Sequence, residues 1–262
     1  MYKKKENPTF IGMIKVVLLG AGNVGTHLFR ALMAAENISL LQWYNRSAGA
    51  LQEGKGKVQT TTAIDELVEA DLYLLSVSDA HLATLSKALG ELQGLVAHTA
   101  GSIPMELLAQ HKNHGVFYPL QTFSKQKALD FQQIPLCLEA NTENNLALLE
   151  QVAVALEGTI HFIDSSQRKT LHIAAVFVNN FVNHLYTVGA QLCEKHKVPF
   201  SVLQPLIAET ADKIKTLAPK QAQTGPAVRG DQFVINEHLN QLTKSTQKEL
   251  YRLISAAIQQ HE

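Results

Sequence analysis

Three glycines carry the clearest chemical signal in this 262-residue chain. Gly20-Ala21-Gly22-Asn23-Val24-Gly25 has the spacing G-x-G-x-x-G. In such a loop the first glycine allows a tight turn and the second lets backbone amides close on a pyrophosphate. The third lets a helix pack against a strand. The spacing alone arises by chance, and an ordinary glycine turn is the competing reading. Here an apolar run, Ile14-Lys15-Val16-Val17-Leu18-Leu19, precedes it, and Val24, Leu28, Ala31, Leu32 and Ala35 recur at helical spacing after it. That is the strand–turn–helix context the motif needs. The helix start offers free N–H groups and the positive end of its dipole to an anion. Gly20, Gly22, Asn23, Val24 and Gly25 are therefore expected around dinucleotide phosphates.

The second strand bears on which dinucleotide. An acid about 20 residues on would accept from a ribose 2′-OH. This chain has Asn45-Arg46-Ser47 there, and no Asp or Glu from Ile38 to Gln52. A guanidinium attracts a 2′-phosphate that a carboxylate would repel. Asn45, Arg46 and Ser47 thus point to NADP(H), against the alternative that Arg46 is a solvated loop residue and either nucleotide is tolerated.

Polar clusters follow three later strands, where open α/β sheets bind ligands. Ser76, Val77 and Ser78 are assigned to the cofactor. His98, Gly101 and Ser102, with Gln121 in Tyr118-Pro119-Leu120-Gln121-Thr122, are assigned to the substrate. Helix capping competes: Asp79 suits an N-cap for a helix from Ala80, and Ser102 suits one near Pro104. Further on, at about 100° per residue, His172, Asn179 and Asn183 share one direction on a long apolar helix, with Arg168 and Lys169 one turn before. His and Asn on such a helix suit a pocket or an interface rather than open water. Lys169 and His172 are candidate proton donors and Asn180 completes the catalytic set; Asn179 and Arg229 are candidate substrate contacts. A structural Asn/His network is the alternative for the stripe, and an Arg229–Asp231 pair stiffening Thr224–Asp231 is the alternative for that loop. The scattered histidines form no HExxH or similar ligand spacing, so no metal site is expected.

The elements that must position these residues alternate. Strands are expected at 14–19, 39–44, 58–61, 71–77, 95–98, 115–118, 134–138 and 159–163. Helices are expected at 23–35, 63–69, 79–92, 104–110 and 144–156. The alternation argues for a largely parallel sheet covered on both faces. After Ser165 only helices are expected, at 166–196, 200–217 and 237–260. The fold class is therefore an α/β Rossmann domain, residues 1–163 with a disordered head over 1–12, followed by a smaller all-α domain, residues 164–262. Balanced charge, with 23 basic and 23 acidic residues, gives no footprint for nucleic acid. Two distant cysteines, Cys137 and Cys193, suit a reducing cytoplasm. The apolar stretch Leu171–Leu192 is broken by Asn179, Asn180, Asn183 and His184, so it reads as a buried helix rather than a membrane span. Helices this apolar need more cover than a thin domain supplies, which implies a homodimer.

These residues resemble an incompletely characterised two-domain family, in which a Rossmann-like domain precedes a helical domain of unknown function and members are named as proposed NADP oxidoreductases. The resemblance covers nearly the whole chain. It rests on Gly20–Gly25, Asn45-Arg46-Ser47, His98–Ser102, Tyr118–Phe123, Lys169–Asn180 and Thr224–Asp231. More distantly the layout is similar to β-hydroxyacid dehydrogenases, ketopantoate reductase, pyrroline-5-carboxylate reductase and deazaflavin-dependent NADP reductases. In the hydroxyacid dehydrogenases a lysine opening the first helix of the second domain is the general acid/base, with an asparagine four residues later. Lys169 matches the lysine, but Ile173 stands at the asparagine position; counting from Arg168 puts His172 there. The resemblance implies NADP chemistry on a small carbonyl or hydroxy compound. An imine reductase and a noncatalytic NADP(H) sensor are the rival readings.

Overall fold

The computed structural model describes residues 12–260; nearly all of the head expected to be disordered lies outside the described residues. The first strand, β1 (Ile14–Leu19), leads into α1 (Asn23–Ala34). It is followed by β2 (Ile38–Tyr44), β3 (Gln59–Thr61), β4 (Leu72–Leu75), α2 (Asp79–Ala88), β5 (Leu95–His98) and β6 (His114–Pro119). Then come β7 (Pro135–Ala140), α3 (Glu143–Ala155), β8 (Thr159–Phe162) and α4 (Ser165–Ala175). Among the described residues the strands form one sheet in the order β3-β2-β1-β4-β5-β6-β7-β8. Neighbours run parallel except β6 and β7, which are antiparallel.

Alternation along the central strands builds two cores. Val16 and Leu18 of β1 join Phe29, Trp43 and Leu74 on one face, while Val17 and Leu19 join Tyr73, Leu75 and Val96 on the other. Successive side chains of a strand point to opposite faces, so a continuous apolar run is what a doubly covered strand requires. Thr142 caps α3, accepting from the Asn145 amide at 3.2 Å. Asp164 and Gln167 form a reciprocal capping box at the start of α4.

The helices expected at 63–69 and 104–110 are single 3-10 turns, Ile64–Glu66 and Met105–Leu108. Both segments are too short to repay helix nucleation, and Pro104 fixes the start of the second. The expected helix 166–196 is interrupted by a π segment, Val176–Phe181, before α5 (Val182–Lys195). The wider π turn shifts the angular phase, so an even 100° step does not carry the stripe from His172 to Asn183. The segment expected to be buried is not so in the single chain: Asn179, Asn180, Asn183 and His184 are exposed, and no residue of α5 is buried.

By internal packing the chain divides into one unit up to Asn179 and another from Asn180. The change to all-helical structure follows β8, yet α4 belongs to the first unit. It is held there by Arg168, which is 1% exposed. Its guanidinium pairs with Glu139 of β7 and donates to the Ile103 carbonyl at 2.8 Å and the Ser165 hydroxyl at 3.0 Å. The second unit contains α5, α6 (Gln204–Lys213), α7 (Pro219–Ala222), α8 (Gln232–Gln241) and α9 (Ser245–Gln260). Among its described residues only Ala227, Ile235, Leu242 and Gln247 are buried. Among the described residues no helix is long and apolar enough to cross a membrane.

Candidate nucleotide site

The glycine-rich loop sits between β1 and α1, and its three glycines answer to different constraints. Gly20 has φ +114°, and a Cβ there would lie 2.1 Å from the Ser76 carbonyl oxygen. A Cβ on Gly25 would lie 2.3 Å from the Gly20 carbonyl oxygen. Those two are required by the fold itself. Gly22 is exposed, its φ is ordinary, and a Cβ on it would meet nothing within 4 Å. The space it leaves is therefore not filled by protein, as a loop that admits a pyrophosphate requires.

Neighbouring groups tie down the turn before the helix. Gly20 donates to the Tyr44 carbonyl at 2.8 Å and accepts from the Trp43 indole at 2.9 Å. Ala21 donates to Asn45 Oδ1 at 3.2 Å and accepts from Lys125 Nζ at 2.9 Å. The first N–H groups of α1 have no intrahelical acceptor, the arrangement that can receive an anion. Trp43 is held in turn by stacking on Phe29, centroids 4.1 Å apart.

A cleft of about 440 Å³ opens over this loop. It is lined by Gly20, Gly22, Asn45, Arg46, Ser76, Val77 and Ser78, all expected from the sequence. Asn23, Val24, Gly25 and Ser47 adjoin these residues in sequence but do not line the cleft. Tyr44, Ile64, His81, Thr84, Leu85 and Ala88 line it as well. They come from the end of β2, the Ile64–Glu66 turn and α2, and no motif in the sequence joins them. Arg46 is exposed. Asn45 braces the loop beside it, donating to the Ser47 carbonyl at 3.0 Å.

A second cluster forms at the carboxyl ends of β5 and β6. Tyr118 Oη and His172 Nδ1 lie 3.3 Å apart, the donor depending on the imidazole tautomer. Gly101 makes this possible: a Cβ on it would lie 2.7 Å from His172 Nδ1 and 2.8 Å from Tyr118 Oη. Burial pushes the Tyr118 phenol up to about 12, so it is neutral at ordinary pH. His98 is fully buried; its Nδ1 accepts from the Ala100 amide at 3.2 Å and its Nε2 has no hydrogen-bond partner. Burial, with the Arg168 charge, lowers the His98 imidazole to about 4. His98 is thus a neutral buried group beside the cluster.

The capping roles expected for Asp79 and Ser102 are not what the structure has. Helix α2 begins at Asp79 itself after Ser78, and Pro104 precedes the Met105–Leu108 turn. The Ser102 hydroxyl donates to Asp79 Oδ2 instead, linking the loop after β5 to the start of α2. Gln121 is exposed and turns back on the Thr122 amide, 2.8 Å. Lys169 is exposed and makes no hydrogen bond or ion pair among the described residues; Asn179 is exposed too. Asn180 and Arg229 belong to the second unit. There the Arg229–Asp231 pair that is the alternative reading of this loop does not form: Asp231 caps α8 by accepting from the Val234 amide at 3.2 Å. Lys125 carries no signal in the sequence, and Tyr118 appears there only as the head of a polar cluster, because contacts to Ala21 and His172 span 104 and 54 residues.

Fold and loop together define a Rossmann-like unit followed by a helical one. Residues 6–122 match the model for a Rossmann-like domain, and residues 134–258 match a domain of unknown function, DUF2520. A solved proposed NADP oxidoreductase from Bacteroides fragilis is 41% identical, with a TM-score of 0.87 over 95% of this chain and 98% of that one. The chain belongs to this two-domain family. The fold is also that of an imine reductase from Pseudomonas sp. (16% identity, TM-score 0.69, 95% of each chain). It is similar as well to pyrroline-5-carboxylate reductase from Streptococcus pyogenes (14%, 0.63, 95% of this chain and 99% of that one). No match is found among curated proteins.

Proposed function

We propose that the protein is an NADP(H)-dependent oxidoreductase acting on a small carbonyl or hydroxy compound. The observation that carries this reading is Gly22, whose missing side chain leaves open space beside a helix start and beneath a cleft edged by Arg46. Gly22 and the first turn of α1 would hold the pyrophosphate, and Asn45, Arg46 and Ser47 the adenosine ribose and its 2′-phosphate. The nucleotide would supply a hydride donor or acceptor. The family's B. fragilis relative is named for NADP chemistry, which supports the choice of nucleotide.

Substrate would meet the cluster at the ends of β5 and β6, where His98, Gly101 and Ser102 lie. Of Lys169, His172 and Asn180, His172 is best supported as proton donor, because Tyr118 fixes it from one side. A positioned acid of this kind contributes about 10²–10⁴ in rate. The unpartnered Lys169 favours a second reading, reduction of a cyclic imine. A substrate protonated on nitrogen asks less of a lysine donor, and two proteins of the same fold are named for that chemistry. Further proposals are a homodimer built on the exposed apolar faces of the helical unit and residence in the cytoplasm.

Fluorescence titration with NADPH and NADH tests the nucleotide. NADPH is expected to bind at least about tenfold tighter, the scale of one charge-assisted contact, and Arg46→Ala is expected to erase most of the difference. Equal affinities in the native protein would sink the assignment. NADPH absorbance during a screen of oxo acids, aldehydes and cyclic imines then separates the two substrate readings. Tight NADPH binding without turnover of any of them would favour a sensor.

A further inference from the structure

We infer that Lys125 is the fixed positive charge of the pyrophosphate site, acting through the glycine-rich loop; this rests on the nucleotide reading above. Lys125 lies in the connection between β6 and β7, 104 residues beyond Ala21 in the chain. It nevertheless places its ammonium 2.9 Å from the Ala21 carbonyl. Two other contacts pin the same connection to α1. His27 Nε2 is 2.9 Å from the Ser124 carbonyl, and the His27 ring lies 5.4 Å from that of Phe123. His27 is 3% exposed, so the strap is anchored on a buried group rather than laid loosely on the surface.

The chemistry of the contact gives it a direction. An ammonium has three donors, and one is used on the Ala21 carbonyl. That carbonyl shares its peptide group with the Gly22 N–H, at the position left open for a ligand. A cation on the oxygen end polarises the peptide and strengthens its N–H as a donor to an anion. Two ammonium donors and the full charge stay next to the loop. Arg46, by contrast, stands at the end of β2 on the ribose side. The two cations divide the nucleotide: Arg46 reads the 2′-phosphate, and Lys125 serves the pyrophosphate that both nucleotides carry. Lys125 is therefore a positioning residue for the cofactor and contributes nothing to the choice between NADPH and NADH.

Lys125→Met removes the charge and keeps most of the stem. Titrations of the full chain with NADPH, NADH and adenosine 2′-monophosphate, in low and in high salt, test the assignment. The variant is expected to lose about tenfold in affinity for both dinucleotides, so their ratio is unchanged, while adenosine 2′-monophosphate binds as before. High salt screens a charge effect, so the deficit shrinks toward 1 M salt, whereas a displaced strap would weaken binding at every salt concentration. Lys125→Arg is expected to restore most of the affinity. Native-like affinity in Lys125→Met overturns the inference, as does a loss confined to NADPH or a deficit indifferent to salt. A native protein that binds neither dinucleotide would instead overturn the nucleotide site itself.

Discussion

The Rossmann-like unit and the helical unit solve the problem of cover differently. The first buries both faces of its sheet, with Val16, Val17, Leu18, Leu19, Leu72, Leu74 and Leu75 fully enclosed. Its loops can therefore be held to tight tolerances, as the short distances around Gly20, Gly25 and Gly101 show. The second encloses few residues and leaves Val202, Leu206, Phe233 and Leu253 between 63% and 77% exposed. An apolar groove of about 330 Å³ lined by Leu185, Leu192, Leu242, Tyr251 and Ile254 runs through it. Isolated exposed apolar residues are ordinary, so the proposed dimer rests on there being several of them in one unit together with the groove. The contrast teaches that close tolerances reside in the sheet unit, while the helical unit leaves apolar surface uncovered in the single chain.

Paired glycine variants test the rigid side most severely. Gly25→Val drives side-chain atoms into the Gly20 carbonyl, and the expected result is loss of the folded unit, seen as a collapse of the melting transition. Gly22→Val meets no protein atom, so melting should be preserved while binding of both nucleotides is abolished. Normal NADPH binding by Gly22→Val would show that this loop is not the phosphate site.

Leu253→Asp probes the other side. It places a charge on an apolar face, which is costly only if that face is covered. Sedimentation of the native chain is expected to give a dimer and that of the variant a monomer, with NADPH affinity retained. A native monomer would remove assembly from the contrast.

His98 should give a smaller, graded effect. It is neutral in the fold with its pKa at about 4, against 6.5 for the unfolded chain. The unfolded chain thus binds more protons between those values, so stability is unaffected above about 6.5 and declines as pH falls toward 4. Melting temperatures across that window should fall less steeply in His98→Asn. Parallel curves would show that the buried imidazole does not drive the decline.

Much of the first unit was legible in the sequence because its signals are local. The strand before Gly20, the helix after it and the missing acid near Arg46 all lie within a few dozen residues. What stayed hidden depends on distant partners. Arg168 reads from the sequence only as a neighbour of the polar stripe, and its lock onto Glu139, 29 residues earlier, has no local signal. Tyr118 and Lys125 acquire their roles only once the sheet brings His172 and Ala21 to them. The π segment escaped because an even helical step has no means of registering an added residue, and Asp79 and Ser102 look like caps because their bond to each other joins separate segments.

The one antiparallel pairing among the described strands, β6 with β7, has a consequence for how the chain tolerates change. Because Pro119 pairs with Leu136 in antiparallel register, the connection from Leu120 to Ile134 joins neighbouring strand ends on the same side of the sheet. It is a clasp rather than a crossover, and no strand register depends on its length. Doubling such a loop costs only about 0.6 kcal/mol in closure entropy. Insertions beyond Lys125 can therefore accumulate here without disturbing the sheet, making this segment a natural place for related chains to diverge while the grip on the glycine loop persists.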